Sequence, residues 1–441
     1  MSSLRVLIVG ASIAGPSAAY WFARAGASVT VIERFPSLRT GGQNVDIRSV
    51  GVTVMRKIPG MEAAVQAKAA PMEGIRFVRA DGSEIGTIRP TGNPEKQSLV
   101  SEYEIYRGDL SRILYDMTSE NEKVTYVFGE QVASLHYGDK KEQDGPVTVK
   151  FANGYPTAEY DLVVACDGSN SRTRAIGFGC GPRDYIEPTN SWAAWFSMQR
   201  DLVSGSRLGH SYSAPGGRFM ATSTDPNGTS RGAFLSFGTP SDSDSVASFR
   251  QALAEGQESV KRFIARHFSG TGWKADDLVE CMVLADDFHA TELIRVKTPR
   301  LSHGRVVLVG DAGYASGAGG VGTSLAMTGG YILAGEVMRR PGDLPTALVK
   351  YEEKMRPIIN DLQDVSPLVG AMLAPQTPWG LRARNLVLGV VCKSQVLSLA
   401  QKLPVQFFSG EDKHNVPEYT WPDDSQRSSA SGKGVDVVAK A

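Results

Sequence analysis

Leu4 to Arg34 reads LRVLIVGASIAGPSAAYWFARAGASVTVIER. Two apolar, β-branched runs, residues 4–9 and 28–33, flank a segment, 13–26, whose Ala, Trp and Phe recur at helical spacing. Strand, helix, strand in immediate succession specifies a βαβ unit, and so a parallel sheet. The first turn reads Gly10-Ala11-Ser12-Ile13-Ala14-Gly15, close to G-x-G-x-x-G with Ser12 at the middle glycine. Gly10 suits a tight turn, Gly15 lets helix and strand pack, and the helix start from Ala14 offers N–H groups to a pyrophosphate. Glu33 ends the second strand, where an acid binds ribose hydroxyls, and Arg34 follows it. An ordinary βα turn would leave Glu33 without a role. No second fingerprint occurs, so one nucleotide has a dedicated site and any other binds transiently.

The bulk numbers frame this unit. A chain of 441 residues is long enough for roughly two domains. Its hydrophobic content of 41% and charged content of 21% are those of a soluble globular protein. Lys+Arg and Asp+Glu are 47 each, so net charge provides no long-range pull towards nucleic acid or anionic membrane. Cys166, Cys180, Cys281 and Cys392 are scattered without metal-ligand spacing and read as reduced thiols, with no metal site. The apolar N-terminus runs straight into the second strand, unlike a secretory signal, so the expected location is cytoplasmic. No apolar run reaches the ~18 residues of a membrane span; residues 385–400 come nearest. The sequon Asn227-Gly228-Thr229 reads as chance in such a chain.

Outward from the βαβ unit, helices are expected at 49–69 and 108–120, a hairpin at Asp81-Gly82, and strands within 124–137, 147–151 and 160–166. Residues 183–240 alternate and are rich in aromatics, as in an antiparallel sheet. The expected organisation is α/β: a Rossmann-type domain (1–182, returning at 299–345), an inserted antiparallel substrate domain (183–298), C-terminal helices (346–422), and a disordered tail (423–441).

Two further motifs decide the nucleotide. In YDLVVACDGSNSRTR, Tyr160 to Arg174, a buried strand opens at Asp167-Gly168 into a short helix carrying Ser171 and Arg174. In GDAGYASGAGGVGTS, Gly310 to Ser324, Asp311 ends an apolar run, and Gly or Ala then fills most positions. Such bare backbone costs conformational entropy, which implies a group lying close against its amides. The Gly-rich turn, the D-G motif and the G-D motif, in this order and spacing, resemble the FAD-dependent aromatic hydroxylases, the p-hydroxybenzoate hydroxylase-like group A flavin monooxygenases. The resemblance covers about residues 4–370. GGQNVDIR and MEGIRFVRADG are similar to stretches of tetracycline-inactivating and fungal secondary-metabolite members.

The resemblance implies FAD as cofactor, held in part by Asp167 and Gly168. Asp311 would accept a ribityl hydroxyl, and Gly320, Val321, Gly322 and Thr323 would turn backbone N–H groups to the pyrimidine edge. Arg107 in EIYRGDLSRIL would contact the flavin, as would Asp46 and Arg48, with Arg39 on the adenosine side. Gly313-Tyr314 stand where many members have Ala-His, and a following Pro is missing.

The activity implied is a monooxygenase: NAD(P)H reduces FAD, and a flavin C4a-hydroperoxide formed with O2 passes one oxygen to an aromatic or polycyclic small molecule, a secondary metabolite. That chemistry is the cofactor's, so catalytic side chains are poorly marked. His210 and Tyr212 are candidates for a base, with Trp195 and Phe219 beside them. An FAD-dependent reductase or dehydrogenase, a Baeyer-Villiger-type oxygenase and a non-enzymatic flavoprotein remain alternatives. A halogenase fits less well, since no Ile-Pro follows Trp192 and Trp195.

Overall fold

The computed structural model describes residues 3–39, 41–69, 73–93, 100–137, 145–224, 228–239, 243–317, 319–363, 373–393 and 414–422. Asn227 of the sequon, the tail 423–441 and the end of the helix expected at 378–401 lie outside them.

The opening unit folds as read: strand Arg5–Val9, helix Ala14–Arg24, strand Ser28–Glu33. Its strands are the middle of a six-stranded sheet, ordered Ser302–His303, Val306–Leu308, Leu162–Ala165, Arg5–Val9, Ser28–Glu33, Val124–Phe128, parallel except for the short first member. Val306–Leu308 and Leu162–Ala165 are apolar at every position, and Arg5–Val9 at every position after its first, because both faces are covered. Helices Ala14–Arg24 and Gly322–Arg339 lie against each other on one face. They approach closely at Gly330, where a Cβ would meet Ala18 Cα at 3.0 Å. A three-stranded antiparallel sheet, Val132–Tyr137, Val147–Phe151 and Ala158–Tyr160, packs on the other face.

The second sheet has seven strands, ordered His289–Val296, Ile186–Met198, Ser230–Phe237, Arg218–Thr224, Leu208–Ala214, Gly74–Val78, Glu84–Ile88. The hairpin at Asp81-Gly82 forms, and its strand Gly74–Val78 pairs in parallel with Leu208–Ala214. This sheet therefore draws two strands from the first part of the chain. Helices Ser243–Glu255, Gln257–Phe268 and Ala275–Leu284 cover one face, where Trp192 stacks on Phe249 at 4.9 Å and 11°.

The first two of these helices run almost end to end in sequence. They separate at Gly256, whose φ of 112° ends a helix cleanly. The helical run at 49–69 breaks likewise at Pro59-Gly60, with Gly60 at φ 79°. Helices Leu344–Gln363 and Pro378–Lys393 follow the sheets, and the second packs on Glu84–Ile88. Trp421 returns to stack on Trp21 at 4.9 Å. All four cysteines are free thiols. Among the described residues there is no metal-binding cluster, and no helix is long and apolar enough to cross a membrane.

Candidate active site

The fingerprint glycines are dictated first by the protein itself. Gly10 has φ 109°, and a Cβ there would meet the Cys166 carbonyl oxygen at 2.5 Å. A Cβ on Gly15 would run into the Gly10 carbonyl. The Glu33 carboxylate holds the turn shut, accepting the Ala11 amide at 2.9 Å and the Phe35 amide at 3.1 Å. Helix Ala14–Arg24 starts without a side-chain cap, leaving its first-turn amides for an anion. Arg107 donates to the Ser12 hydroxyl at 3.0 Å, so Ser12 and Arg107, distant in sequence, meet at the phosphate turn. The Arg34 and Arg39 guanidiniums lie over the Phe35 ring at 4.8 and 5.0 Å. Burial, then the charges of Arg107 and Arg34, push the Arg39 pKa down, which marks a cluster of cations favourable to a bound anion.

The Asp167 carboxylate is engaged by its own turn. It accepts the Thr173 amide at 3.0 Å and the Ser171 hydroxyl, while Gly168 turns the chain at φ 87°. The fully buried Arg174 donates to the carbonyls of Ala312 at 2.6 Å, Ser169 at 3.0 Å and Pro182 at 2.7 Å. This one guanidinium joins the D-G turn to the G-D turn.

Asp311 follows Gly310, at φ 67°, and lies open to solvent inside a cleft. Among the described residues its carboxylate takes no hydrogen bond. Crowding by the surrounding protein raises its pKa, and Arg107 opposes the shift. A Cβ on Gly322 would stand 3.5 Å from Asp311 Oδ1, and one on Gly320 would find Asp46 Oδ2 at 4.0 Å. Gly322 thus borders Asp311 and Gly320 borders Asp46, and Arg48 pairs with Asp46 at 2.9 Å. The Arg48 amide donates to Ser324 Oγ at 2.9 Å, tying the loop to the helix headed by Val321, Gly322 and Thr323.

The bare backbone has two causes, not the single one read from sequence. Cβ atoms on Gly310, Gly313 and Gly317 would meet Ala14, Leu308 and Thr189 side chains at 3.0, 2.8 and 3.1 Å, so packing excludes them. Gly322 has room for a Cβ within the protein, whereas Gly320, with equal room, has a φ of 68° that itself favours glycine. Tyr314, in place of His, turns inward: its hydroxyl is 3.2 Å from that of Tyr351, and Gly329 makes way for it.

A cavity of about 220 Å³ lies between the ribbon of Asn44–Asp46 and Glu104–Tyr106 and the seven-stranded sheet. Trp195 and Phe219 line it, with Ile75 and Tyr106. The two proposed bases are corrected by strand register. His210 pairs with Thr222 and Tyr212 with Met220, so their side chains share the helix-covered face. The Tyr212 hydroxyl donates to the Thr271 carbonyl at 2.8 Å. His210 borders the cavity, and burial followed by Arg76 and Lys274 keeps its pKa low.

The cavity's polar lining includes Asn44 and Glu104, which fall inside the GGQNVDIR and EIYRGDLSRIL stretches, and Arg231, Asp287 and His289, which no local motif marked. His289 stacks over Trp195 at 16°, and burial with the Arg39 and Arg107 charges favours its neutral form. Arg231 donates to Asp287 at 2.9 Å and lies over Tyr106 at 5.2 Å. Glu104 accepts from Asn44 Nδ2 at 2.9 Å and sits opposite Asp46 in the Asn44–Asp46 and Glu104–Tyr106 ribbon. Burial and the Asp46 charge push its pKa up to about 7.

A family model described as FAD binding domain matches residues 3–366. The FAD-dependent monooxygenase asL4 of Sarocladium schorii is 31% identical, the match covering 89% of this chain and 93% of asL4. Flavin-dependent monooxygenase eupH of Phoma sp is 32% identical, over 90% and 94%. Among solved structures, tetracycline destructase Tet(55) superposes with a TM-score of 0.73 at 27% identity, covering 95% of this chain and 99% of its own. Klebsiella pneumoniae HpxO, complexed with FAD and uric acid, shares the fold with a TM-score of 0.68 at 20% identity, covering 90% and 96%. The chain belongs to this FAD-binding family, and it is an FAD-dependent monooxygenase.

Proposed function

We propose that the enzyme uses NAD(P)H and O2 to add one oxygen atom to an aromatic or polycyclic small molecule held in the cavity between Trp195 and Glu104. The observation that carries this is the cavity's make-up: flat aromatic walls with a few convergent polar groups, beside the ribbon of Asn44–Asp46 and Glu104–Tyr106. Two structural neighbours point the same way, one a tetracycline destructase and the other complexed with uric acid.

FAD, when bound, supplies the hydride acceptance and O2 activation. The residues fit such a group. The helix start behind Gly10 to Gly15 and the Arg34, Arg39 and Arg107 cations suit its pyrophosphate and adenosine. Asp311 offers an unengaged carboxylate to the ribityl chain. The amides from Gly320 to Thr323, at a helix start, suit the electron-rich edge of the ring system. Glu33 and Asp167 act by holding their turns. Trp195, Phe219 and Tyr106 orient a flat substrate and exclude water. Glu104, protonated near neutral pH, donates to a substrate oxygen or, once ionised, accepts a proton from a phenol. With one nucleotide fingerprint, the nicotinamide cofactor binds transiently.

The test is to incubate the purified yellow protein with NADH or NADPH and a panel of aromatic polyketides and indole alkaloids. O2 uptake should rise with the right compound, and mass spectrometry should find the product one oxygen heavier. Nicotinamide oxidation coupled to an added acceptor, with no oxygenated product across the panel, would favour the reductase reading.

A further inference from the structure

Helix Pro378–Lys393 packs one side on the hairpin strand Glu84–Ile88, through the buried Leu388 and the partly buried Cys392. Its other side carries exposed apolar side chains. Trp379, Leu386, Val387 and Val390 are 77, 70, 62 and 58% exposed. Trp379, Leu386 and Val390 are spaced seven and four residues apart, so they form one stripe along the helix. Among the described residues, large exposed apolar side chains elsewhere stand singly or as the neighbours Val283 and Leu284. A contiguous stripe of this kind marks an interaction surface.

The charge around the stripe selects the partner. From Val365 through Gly410 the sequence carries Arg382, Arg384, Lys393 and Lys402 and no Asp or Glu. The zero net charge of the whole chain conceals this segregation. Arg382 is exposed, three residues from Trp379 and four from Leu386, so a base edges the apolar stripe. Arg384 is turned inward over the Phe77 ring. An apolar stripe headed by Trp, edged by a base and lacking acids, is the composition of a helix that lies in the plane of an anionic lipid surface. A second copy of the chain fits less well, because two-fold pairing of this face would set Arg382 near its own copy without an acid to compensate.

We propose that helix Pro378–Lys393 is a peripheral membrane-docking face, seating Trp379, Leu386, Val387 and Val390 among the acyl chains and Arg382 at anionic headgroups. This does not depend on which substrate the enzyme oxidises.

The test uses the full-length, flavin-loaded protein and sedimentation with vesicles of phosphatidylcholine, alone or mixed with phosphatidylglycerol. The expected result is partition onto the mixed vesicles that weakens with added salt, and little onto phosphatidylcholine alone. The double variant Leu386→Asn, Val390→Asn should partition at least about tenfold less, with flavin content and melting temperature unchanged, because both side chains are solvent-exposed. Arg382→Glu should lose the preference for phosphatidylglycerol. Wild-type protein that stays in the supernatant with both vesicle types overturns the proposal. So does a double variant that binds like wild type. A concentration-dependent dimer that the double variant dissolves, without vesicle binding, overturns it in favour of a second copy, and vesicle-independent capture of an acidic protein overturns it in favour of a protein partner.

Discussion

Arg174 Nη1 donates to the Ala312 carbonyl at 2.6 Å, across 138 residues of sequence. The strands ending before these two turns, Leu162–Ala165 and Val306–Leu308, are neighbours in the parallel sheet. Their hydrogen bonds fix the strands, and Arg174 fixes the turns beyond them. Arg174→Met leaves three buried or half-buried carbonyls without their donor. The deflavinated variant should lose about 2–4 kcal/mol in urea unfolding, and Arg174→Lys should recover little, since an ammonium lacks the planar fork. A loss under about 0.5 kcal/mol would mean that the turns hold themselves.

Gly322 separates the two causes of the bare backbone. Its Cβ would sit 3.5 Å from the nearest atom, and it opens a helix, where Ala is favoured. Gly322→Ala should leave the apoprotein's melting temperature unchanged or slightly higher, while FAD affinity falls by about tenfold or more, roughly 1.4 kcal/mol. Equal affinity in a flavin titration would remove Gly322 from the cofactor's surroundings. Gly10→Val is no such probe, because its side chain meets the Cys166 carbonyl before any ligand.

For Asp311, a charge-assisted hydrogen bond to the ribityl chain is worth about 1.5–3 kcal/mol. Asp311→Ala should therefore weaken FAD by roughly tenfold to a hundredfold. The apoprotein should not suffer, since the carboxylate accepts no bond from the described residues and its crowding is unfavourable to the charge. Titration of deflavinated wild type and variant, with parallel melts, checks both halves. A lower apo melting temperature with equal affinity would make Asp311 a helix cap.

Glu104 predicts a pH dependence. Its ordinary value of 4.5 is raised in the fold to about 7. A raised carboxyl pKa means that the folded state holds the proton more tightly than the unfolded chain. Its contribution to stability is fully present below about 4.5 and is lost as pH rises through about 7. Relative to Glu104→Gln, deflavinated wild type should lose on the order of 1–3 kcal/mol between about pH 5 and pH 8. The curve should be broader than a single titration, because Asp46 is coupled to it. Parallel slopes for wild type and variant would place the titration elsewhere.

The parts of this molecule written locally could be read from its sequence. The βαβ unit, the hairpin at Asp81-Gly82 and the three flavin motifs each lie within one stretch, where spacing fixes geometry. The pairing of Gly74–Val78 with Leu208–Ala214 could not be read, since nothing in either strand names its partner. Alternation along Leu208–Ala214 separates His210 and Tyr212 from Ser211 and Ser213, yet it does not say which set meets the helices. Arg231, Asp287 and His289 are unremarkable in sequence, and only the fold gathers them with Glu104, which a quoted motif contained without marking. Gly313 and Gly317 misled for the opposite reason: a glycine required by a neighbour's side chain looks the same as one required by a ligand.

The hairpin strand Gly74–Val78 sits inside a sheet whose next member begins at Leu208, about 130 residues later. At about 5–20 residues per second, a nascent chain carries that unpaired edge for roughly 7–26 s before its partner leaves the ribosome. Arg5–Val9 waits similarly for Leu162–Ala165, and that strand in turn for Val306–Leu308. Neither sheet can close before its last strand is made, so synthesis must pass Leu308 before both sheets are complete, and their edges stay open until then.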